Sequence, residues 1–168
     1  MAGPYELYLI RHGLAEERGD AWPDDSKRPL TERGISRLRK VTRGLIRIGV
    51  DFDVIVTSPL ARTRQTAEVV SAQFEIRPHI VSSDALAPDG TYQAVLAELE
   101  KHVKRTRIAL VGHEPGLGEL AARLLASRRP LEFKKGGACR IDIAEIPPTD
   151  PGSLRWFLTP RLLRSLRN

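Results

Sequence analysis

Strand signals and helix signals alternate along most of this chain, and that order constrains its fold more than any other feature. Short apolar runs predict strands at YELYLI (residues 5–10), DVIVTS (53–58) and RIALVG (107–112), with amphipathic helical segments between them. A βαβα order of this kind implies an α/β fold with a mostly parallel sheet. Helices cover both faces of such a sheet, which predicts a three-layer αβα arrangement.

The helix boundaries follow from capping residues and apolar spacing. Thr31 is suited to cap the first long helix, and Ser58-Pro59 is typical of the N-cap and first residue of the next. The predicted apolar stripes are Ile35, Leu38, Val41, Leu45 and Ile48 in the first helix, and Tyr92, Val95, Leu96, Leu99 and Val103 in a later one.

The remaining elements follow the same rhythm. The run EIRPHIVSS (75–83) predicts a strand near a sheet edge, because Pro78 has no N–H to donate to a neighbour. Pro115 begins another helix, and two more strands are predicted within residues 132–146 and at 153–158. A basic C-terminal helix follows, with Arg161, Arg164 and Arg167 at helical spacing.

The bulk composition predicts one soluble domain spanning residues 1–168. Apolar residues make up 41% and charged residues 29%, which is ordinary for a globular protein. The net charge of +6 favours an acidic partner of some kind. The single cysteine, Cys139, excludes a disulfide framework and favours a reducing cytoplasm. No secretory signal or membrane-spanning run is recognisable, so no membrane association is expected.

Three strand-to-helix junctions carry polar or basic groups. They are RHG at Arg11, TSPLARTRQTAE at Thr57 and VGHEPGLGE at Val111. Each follows a predicted parallel strand, and the carboxyl ends of parallel strands meet at one edge of a sheet. The sequence therefore predicts one site built from all three junctions.

The convergent side chains would be Arg11, His12, Arg62 and His113. Two guanidiniums, together with free N–H groups at the helix starts after Ser58 and His113, would bind a dianionic phosphate. A neutral imidazole is nucleophilic near pH 7, and a second imidazole, if protonated, would steady the phosphoryl oxygens. The arginines would neutralise the charge that magnesium neutralises elsewhere, so no metal or cofactor is expected.

The other two histidines have a simpler interpretation. His79 and His102 lie outside the three junctions, and we expect them to be structural.

The segments LIRHG, SPLARTRQTAE and VGHEPGL resemble the three signature segments of the histidine phosphatase superfamily, which has the phosphoglycerate-mutase-like fold. The small size and the segment RPLTERG resemble its SixA branch, the bacterial phosphohistidine phosphatases. This resemblance implies that His12 is the nucleophile and is transiently phosphorylated. It implies a catalytic phosphate pocket completed by Arg11, Arg62 and His113, and substrate contacts from Gly13, Arg28, Ser58 and Glu114.

Larger members of the superfamily protonate an alkoxide leaving group with a carboxylic acid placed after the third strand. Here that region reads SSDALAPDGTYQ (82–93), where Asp84 is the possible acid and Asp89 the only other carboxyl. An imidazole with a pKa near ~6.5 leaves without such help. A short chain without the acid insertion therefore favours phosphohistidine as the substrate.

Two alternatives remain open. One is a small-molecule phosphomonoesterase that uses Asp84 or Asp89 as the acid, and the other is a phosphate- or phosphoprotein-binding module without turnover. The expected partner is a phosphorylated protein, such as a histidine-phosphotransfer domain, or a small phosphorylated molecule. No nucleic-acid-binding signature is present. A basic stripe on the first long helix is either a solvated face or a docking surface for an acidic protein; it consists of Arg33, Arg37, Lys40 and Arg47.

Overall fold

The computed structural model describes residues 4–166 and shows a single six-stranded sheet within them. The strands are β1 (Tyr5–Arg11), β2 (Val54–Thr57), β3 (His79–Ser82), β4 (Arg107–Gly112), β5 (Ala138–Ile143) and β6 (Ser153–Leu158). They lie in the order β3-β2-β4-β1-β5-β6. The first four strands of that order are mutually parallel, whereas β5 is antiparallel to β1 and β6 is antiparallel to β5. The predicted edge position of β3 is confirmed.

Helices cover both faces of the sheet, which confirms the three-layer αβα arrangement. The helices are α1 (Glu32–Arg47), α2 (Ala61–Ser71), α3 (Tyr92–Glu100), α4 (Gly116–Leu125) and α5 (Pro160–Ser165). One buried cluster joins the sheet to α1, α2 and α5, and the other joins it to α3 and α4. Two short 3-10 helices, Asp25–Lys27 and Asp84–Leu86, lie in the loops at the carboxyl end of the sheet.

Strand β1 is buried on both faces, which explains why its sequence is apolar almost throughout. Leu7 and Leu9 pack into the α3–α4 cluster, whereas Tyr8 and Ile10 pack into the cluster on the opposite face. A strand that is buried on both faces reads as a continuous hydrophobic run rather than an alternating one. This central position also carries the residues after Ile10 to the middle of the sheet edge.

Three predicted boundary details are wrong. Helix α2 begins at Ala61 and not after Ser58, with Leu60 at its N-cap. The buried Ser58 hydroxyl lies 2.8 Å from His113 Nε2 and accepts from Leu60 N–H (3.3 Å), which comes before the first helical residue. Ile48 is 41% exposed and Val103 is 40% exposed, because α1 and α3 end before those positions are reached. The predicted C-terminal helix is present as α5, while Arg167 lies outside the described residues.

Across residues 4–166, none of the helices combines the length and the apolar character needed to cross a bilayer.

Candidate active site

The three junctions named from the sequence meet at one place, as predicted. Strand β4 lies between β1 and β2 and is parallel to both. The ladder extends one residue past the strands, because His12 N–H donates to Gly112 O (3.1 Å) and Ser58 N–H donates to Val111 O (3.1 Å). The imidazole rings of His12 and His113 consequently lie with their centroids 5.4 Å apart.

The His12 ring has a defined tautomer. Its Nδ1 lies 2.7 Å from the carbonyl oxygen of Gly13 and must carry the proton, since a carbonyl can only accept. The lone pair is therefore on Nε2. Burial lowers the pKa of His12 to about 3, against the opposing effect of the Gly13 hydrogen bond and with the help of the positive charges nearby. His12 is thus a neutral imidazole near pH 7 with Nε2 as its nucleophilic atom.

The His113 ring is anchored from the other side. Its Nε2 lies 2.8 Å from the Ser58 hydroxyl, and its buried Nδ1 has no hydrogen-bond partner. Burial first, and the Arg62 guanidinium second, lower the pKa of His113 to about 4. Both imidazoles are neutral near pH 7 in this structure, so the positive charge of the site comes from its arginines.

Three arginines that are buried or half-buried surround the histidines, and the exposed Arg18 and Lys135 also line the cavity. Arg11, Arg28 and Arg62 line the same cavity of ≈ 460 Å³ as His12 and His113. Arg11 Nη1 donates to Phe133 O (2.8 Å), Arg28 Nη1 donates to Glu16 O (2.7 Å), and Arg62 Nη1 donates to Asp25 O (3.0 Å). These backbone carbonyls hold the guanidiniums in place, and one carboxylate shared by Arg28 and Arg62 leaves the set with a net positive charge, which suits a dianionic ligand.

The unpartnered buried polar atoms belong to residues that line this cavity. Within residues 4–166, three buried side-chain nitrogens lack a hydrogen-bond partner, and they are Arg11 Nε, Arg62 Nε and His113 Nδ1. An unmade hydrogen bond costs about 1–3 kcal/mol, so natural proteins keep such groups mainly where a function requires them. Their concentration in one cavity indicates an anion-binding site.

Asp25 is a site residue that the sequence analysis missed. Its carboxylate lies 2.8 Å from Arg28 Nε and 3.1 Å from Arg62 Nη2, and so joins two arginines from different segments. The hydrogen bond from Arg28, reinforced by Arg62, lowers the pKa of Asp25 despite partial burial. The spacing of three residues to Arg28 was visible in DSKR, but the pairing with Arg62 is a tertiary contact.

Three of the predicted substrate-binding residues lie in supporting positions. Ser58 is fully buried behind His113 and does not line the cavity. Gly13 N–H donates to Thr66 Oγ1 (3.1 Å), and its carbonyl orients His12. Glu114 lines the cavity, but its Oε1 accepts from Gly118 N–H (2.7 Å) at the start of α4. Arg28 also lines the cavity.

The expectation of free N–H groups at the start of α4 is wrong for two of them, Leu117 and Gly118. Gly118 N–H is occupied by Glu114, and Leu117 N–H donates to His113 O (2.8 Å). Both donors are taken by the segment that carries His113. The guanidiniums are consequently the main anion-binding groups of the site.

The predicted acid region borders the cavity through Pro88, but its two carboxyl groups do not line it. Asp84 and Asp89 are exposed and line neither this cavity nor its neighbours. Two other carboxyls, Glu16 and Glu17, do line the cavity at its exposed side. They follow RHG in the sequence and could have been noticed there, since the loop after a central strand commonly contributes to a site.

The remaining histidines are outside the site. His79 is exposed on the edge strand β3. His102 lies in the turn after α3, and its Nε2 is 3.0 Å from the carboxylate of Glu98 on that helix. Neither lines the cavity.

Known proteins are similar to this chain in sequence. The sequence profile of the histidine phosphatase superfamily (branch 1) matches residues 7–86. An uncharacterized protein of Picosynechococcus sp. is 42% identical over 94% of this chain and 98% of its own length. The phosphohistidine phosphatase SixA of Escherichia coli is 26% identical over 92% of this chain and 94% of its own length.

A solved structure is similar in the same way. The protein histidine phosphatase SixA complexed with tungstate superimposes with a TM-score of 0.83 at 25% identity, covering 94% of this chain and 99% of that one. The similarity therefore extends over nearly the whole of both chains.

Proposed function

Since this chain belongs to the histidine phosphatase superfamily and is a phosphatase, we propose that its substrate is phosphohistidine on a protein and that His12 is its nucleophile. The observation that carries the proposal is the hydrogen bond from His12 Nδ1 to Gly13 O (2.7 Å), which leaves a neutral Nε2 beside three guanidiniums. A neutral imidazole whose protonated form is strongly disfavoured is available as a nucleophile at any pH near 7.

The proposed reaction has two steps. His12 Nε2 donates its lone pair to phosphorus while the P–N bond to the substrate histidine breaks. The leaving imidazole, protonated on its other nitrogen, departs as a neutral molecule. A water molecule then attacks the phosphoryl group on His12, which releases inorganic phosphate and returns the electron pair to Nε2. Arg11, Arg28 and Arg62 neutralise the charge of the equatorial oxygens in both steps.

His113 has a supporting role in this proposal. Its Nδ1 is buried and unpartnered, while Ser58 holds Nε2. A phosphoryl oxygen bound between the two rings would take up a hydrogen bond from Nδ1 once a proton is present there. The dianion would favour that proton, because an opposite charge at short range raises the pKa of an imidazole.

The leaving group decides between phosphohistidine and phosphate esters. Asp84 and Asp89 do not line the cavity, and the Glu114 carboxylate accepts hydrogen bonds from backbone N–H groups. An alkoxide needs a proton from such an acid, whereas an imidazole does not. This difference supports phosphohistidine.

One observation favours a second candidate function. Glu16 and Glu17 line the exposed side of the cavity, where a carboxyl group could protonate an alkoxide. A small-molecule phosphomonoesterase would use one of them as its acid. In that case Glu16→Gln or Glu17→Gln would slow the hydrolysis of alkyl phosphates and leave phosphohistidine hydrolysis unchanged.

The decisive experiment measures phosphate release in excess EDTA by the wild type, by His12→Ala and by His79→Ala. His79 is the matched control, because it is an exposed histidine outside the cavity. A phosphohistidine protein and an alkyl phosphate are compared side by side. We expect faster release from phosphohistidine, a loss of about a thousandfold or more in His12→Ala, and little change in His79→Ala.

The outcomes separate the candidates. Faster turnover of the alkyl phosphate would make the esterase the better description. Binding of both substrates without turnover would identify a phosphate-binding module. Loss of activity on adding EDTA would contradict a metal-independent reaction. Phosphoenzyme trapped under alkaline conditions from the wild type but not from His12→Ala would support His12 as the phosphorylated residue.

A further inference from the structure

A second cavity of ≈ 400 Å³ lies beside the active-site cavity, and we call it the basic groove. Its charged lining residues are all cationic: Arg11, Arg37, Lys134, Lys135, Arg161 and Arg164. They come from the end of β1, from α1, from the segment before β5, and from α5. No aspartate or glutamate is among the residues that line it.

The cations of the basic groove are not neutralised by the protein. Elsewhere arginines pair with carboxylates, as Arg107 does with Asp53 and Arg140 with Asp142. Within residues 4–166, none of the ion pairs includes Arg37, Arg161 or Arg164. Burial and the neighbouring arginines lower the pKa of Arg164, as expected where like charges are held together. Protein surfaces normally intersperse the two signs, so this concentration favours an anionic occupant.

The basic groove is continuous with the active site. Arg11, Leu14 and Lys135 line both cavities. An anion in the basic groove would therefore lie next to the phosphoryl group in the active site. The occupant is better described as a neighbouring part of the same substrate than as a separate ligand.

The floor of the basic groove is apolar. It includes Leu14, Leu38, Val41 and Pro160, and no aromatic side chain lines it. Single-stranded nucleic acids are typically held by aromatic rings on which bases stack. An apolar floor below a cationic rim suits a polypeptide in which acidic and aliphatic side chains are mixed.

We propose that the basic groove binds an acidic segment of the phosphoprotein substrate, next to its phosphohistidine. This proposal rests on the proposed function and names the sequence character of the substrate. The cationic rim would select acidic segments and speed encounter, while the floor would take up an aliphatic side chain.

The test uses two phosphohistidine peptides of equal length. One carries a segment of Glu and Leu residues beside the phosphohistidine, and the other has Gln in place of each Glu. The groove variant is Arg37→Gln/Arg161→Gln/Arg164→Gln. The matched control is Arg39→Gln/Arg43→Gln/Arg47→Gln, which removes the same charge from exposed α1 residues outside the basic groove.

The readout is the ratio of kcat/KM for the acidic peptide to that for the Gln peptide. We expect the wild type and the control variant to prefer the acidic peptide by about tenfold, and the groove variant to prefer it by about twofold or less. Equal ratios in the groove variant and the control would overturn the proposal, as would a wild type that shows no preference.

A binding measurement keeps this proposal distinct from the proposed function. Fluorescence anisotropy with the labelled, unphosphorylated acidic peptide needs no turnover. If the wild type hydrolyses neither phosphohistidine peptide, the proposed function fails, and loss of binding in the groove variant alone would still support the basic groove. Absence of binding to the wild type would overturn it. Tighter binding of a labelled single-stranded RNA, lost in the groove variant, would assign the surface to nucleic acid instead.

Discussion

His12 and His113 are each held by a single hydrogen bond, made by opposite ring nitrogens. Nδ1 of His12 is bound to Gly13 O, and Nε2 of His113 is bound to Ser58 Oγ. Each ring consequently has one nitrogen that is not used by the protein. At the scale of the residue, the site works because neighbouring backbone and hydroxyl groups determine which nitrogen remains free.

The burial of the two histidines predicts a pH-dependent stability. Their pKa values in the folded protein, about 3 for His12 and about 4 for His113, lie below the ~6.5 of an unfolded chain. As the pH falls, the unfolded state binds protons first. The stabilisation is therefore full above about pH 6.5 and is lost as the pH falls toward the folded-state pKa values. Each histidine should remove about 2 kcal/mol of unfolding free energy between about pH 7 and about pH 5.

Urea unfolding at several pH values in this range measures the effect. The double variant His12→Gln/His113→Gln should show a much smaller decrease than the wild type, and His79→Gln should behave like the wild type. A double variant with the full wild-type decrease would mean that other groups titrate in this range.

Asp25 is predicted to be a positioning residue. Its carboxylate lies 2.8 Å from Arg28 Nε and 3.1 Å from Arg62 Nη2. Asp25→Ala should lower kcat/KM by about 10- to 100-fold, because both guanidiniums lose the group that orients them. Asp24→Ala is the control, since Asp24 bonds to Ser26 and to neither arginine. Faster turnover in Asp25→Ala would instead indicate that the carboxylate competes with phosphate.

At the scale of secondary-structure elements, α1 packs closely against the loop that carries His12. Thr31 N–H donates to Leu14 O (3.0 Å), and the Thr31 hydroxyl caps α1 by accepting from Gly34 N–H (2.9 Å). A Cβ on Gly34 would lie 2.2 Å from Leu14 O. The helix can approach the loop this closely only because residue 34 has no side chain.

Gly34→Ala should therefore affect both stability and activity. Backbone atoms would have to shift, and overpacking of this kind typically costs about 1–3 kcal/mol. The midpoint temperature of thermal unfolding and kcat/KM should both decrease. Gly116→Ala is the matched control, because its Cβ would meet nothing within 4 Å at the start of α4, and alanine favours a helix. A Gly34→Ala protein with wild-type stability would show that the loop can move freely.

At the scale of the whole molecule, the charge is unevenly distributed. The chain has a net charge of +6, and six cations line the basic groove next to the active site. A positive field of this kind accelerates the encounter with an acidic protein and weakens as salt screens it.

The rate with an acidic phosphoprotein should therefore depend on salt. Raising the ionic strength from about 50 mM to about 300 mM should lower kcat/KM by about tenfold for an acidic protein substrate. For a small substrate without acidic side chains, such as N-phosphoimidazole, kcat/KM should fall much less. Equal losses for both would mean that salt acts on the phosphate pocket itself.

Much of the fold and part of the site could be predicted from patterns among residues that are close together in the sequence. The strands around Leu9 and Leu110 are apparent from apolar runs, and His12 and His113 are apparent from their place after such runs. The helix cap at Ser58 was wrong because a serine before a proline suits a cap equally well whether or not its hydroxyl is needed elsewhere. Here that hydroxyl lies 2.8 Å from His113 Nε2, and the N–H that it accepts from is that of Leu60, before α2 begins.

The sequence by itself determined the αβα layers and the three strand-end junctions, because hydrophobic periodicity and strand-to-helix order are local properties. Only the tertiary structure decided that His12 Nε2 is the free nitrogen, that Asp25 joins Arg28 to Arg62, and that α1 and α5 place their arginines in one groove. The Asp25 pairing and the shared groove depend on contacts between segments that are distant in the sequence. The free nitrogen depends on the distance between His12 Nδ1 and Gly13 O. Residue order alone does not specify either.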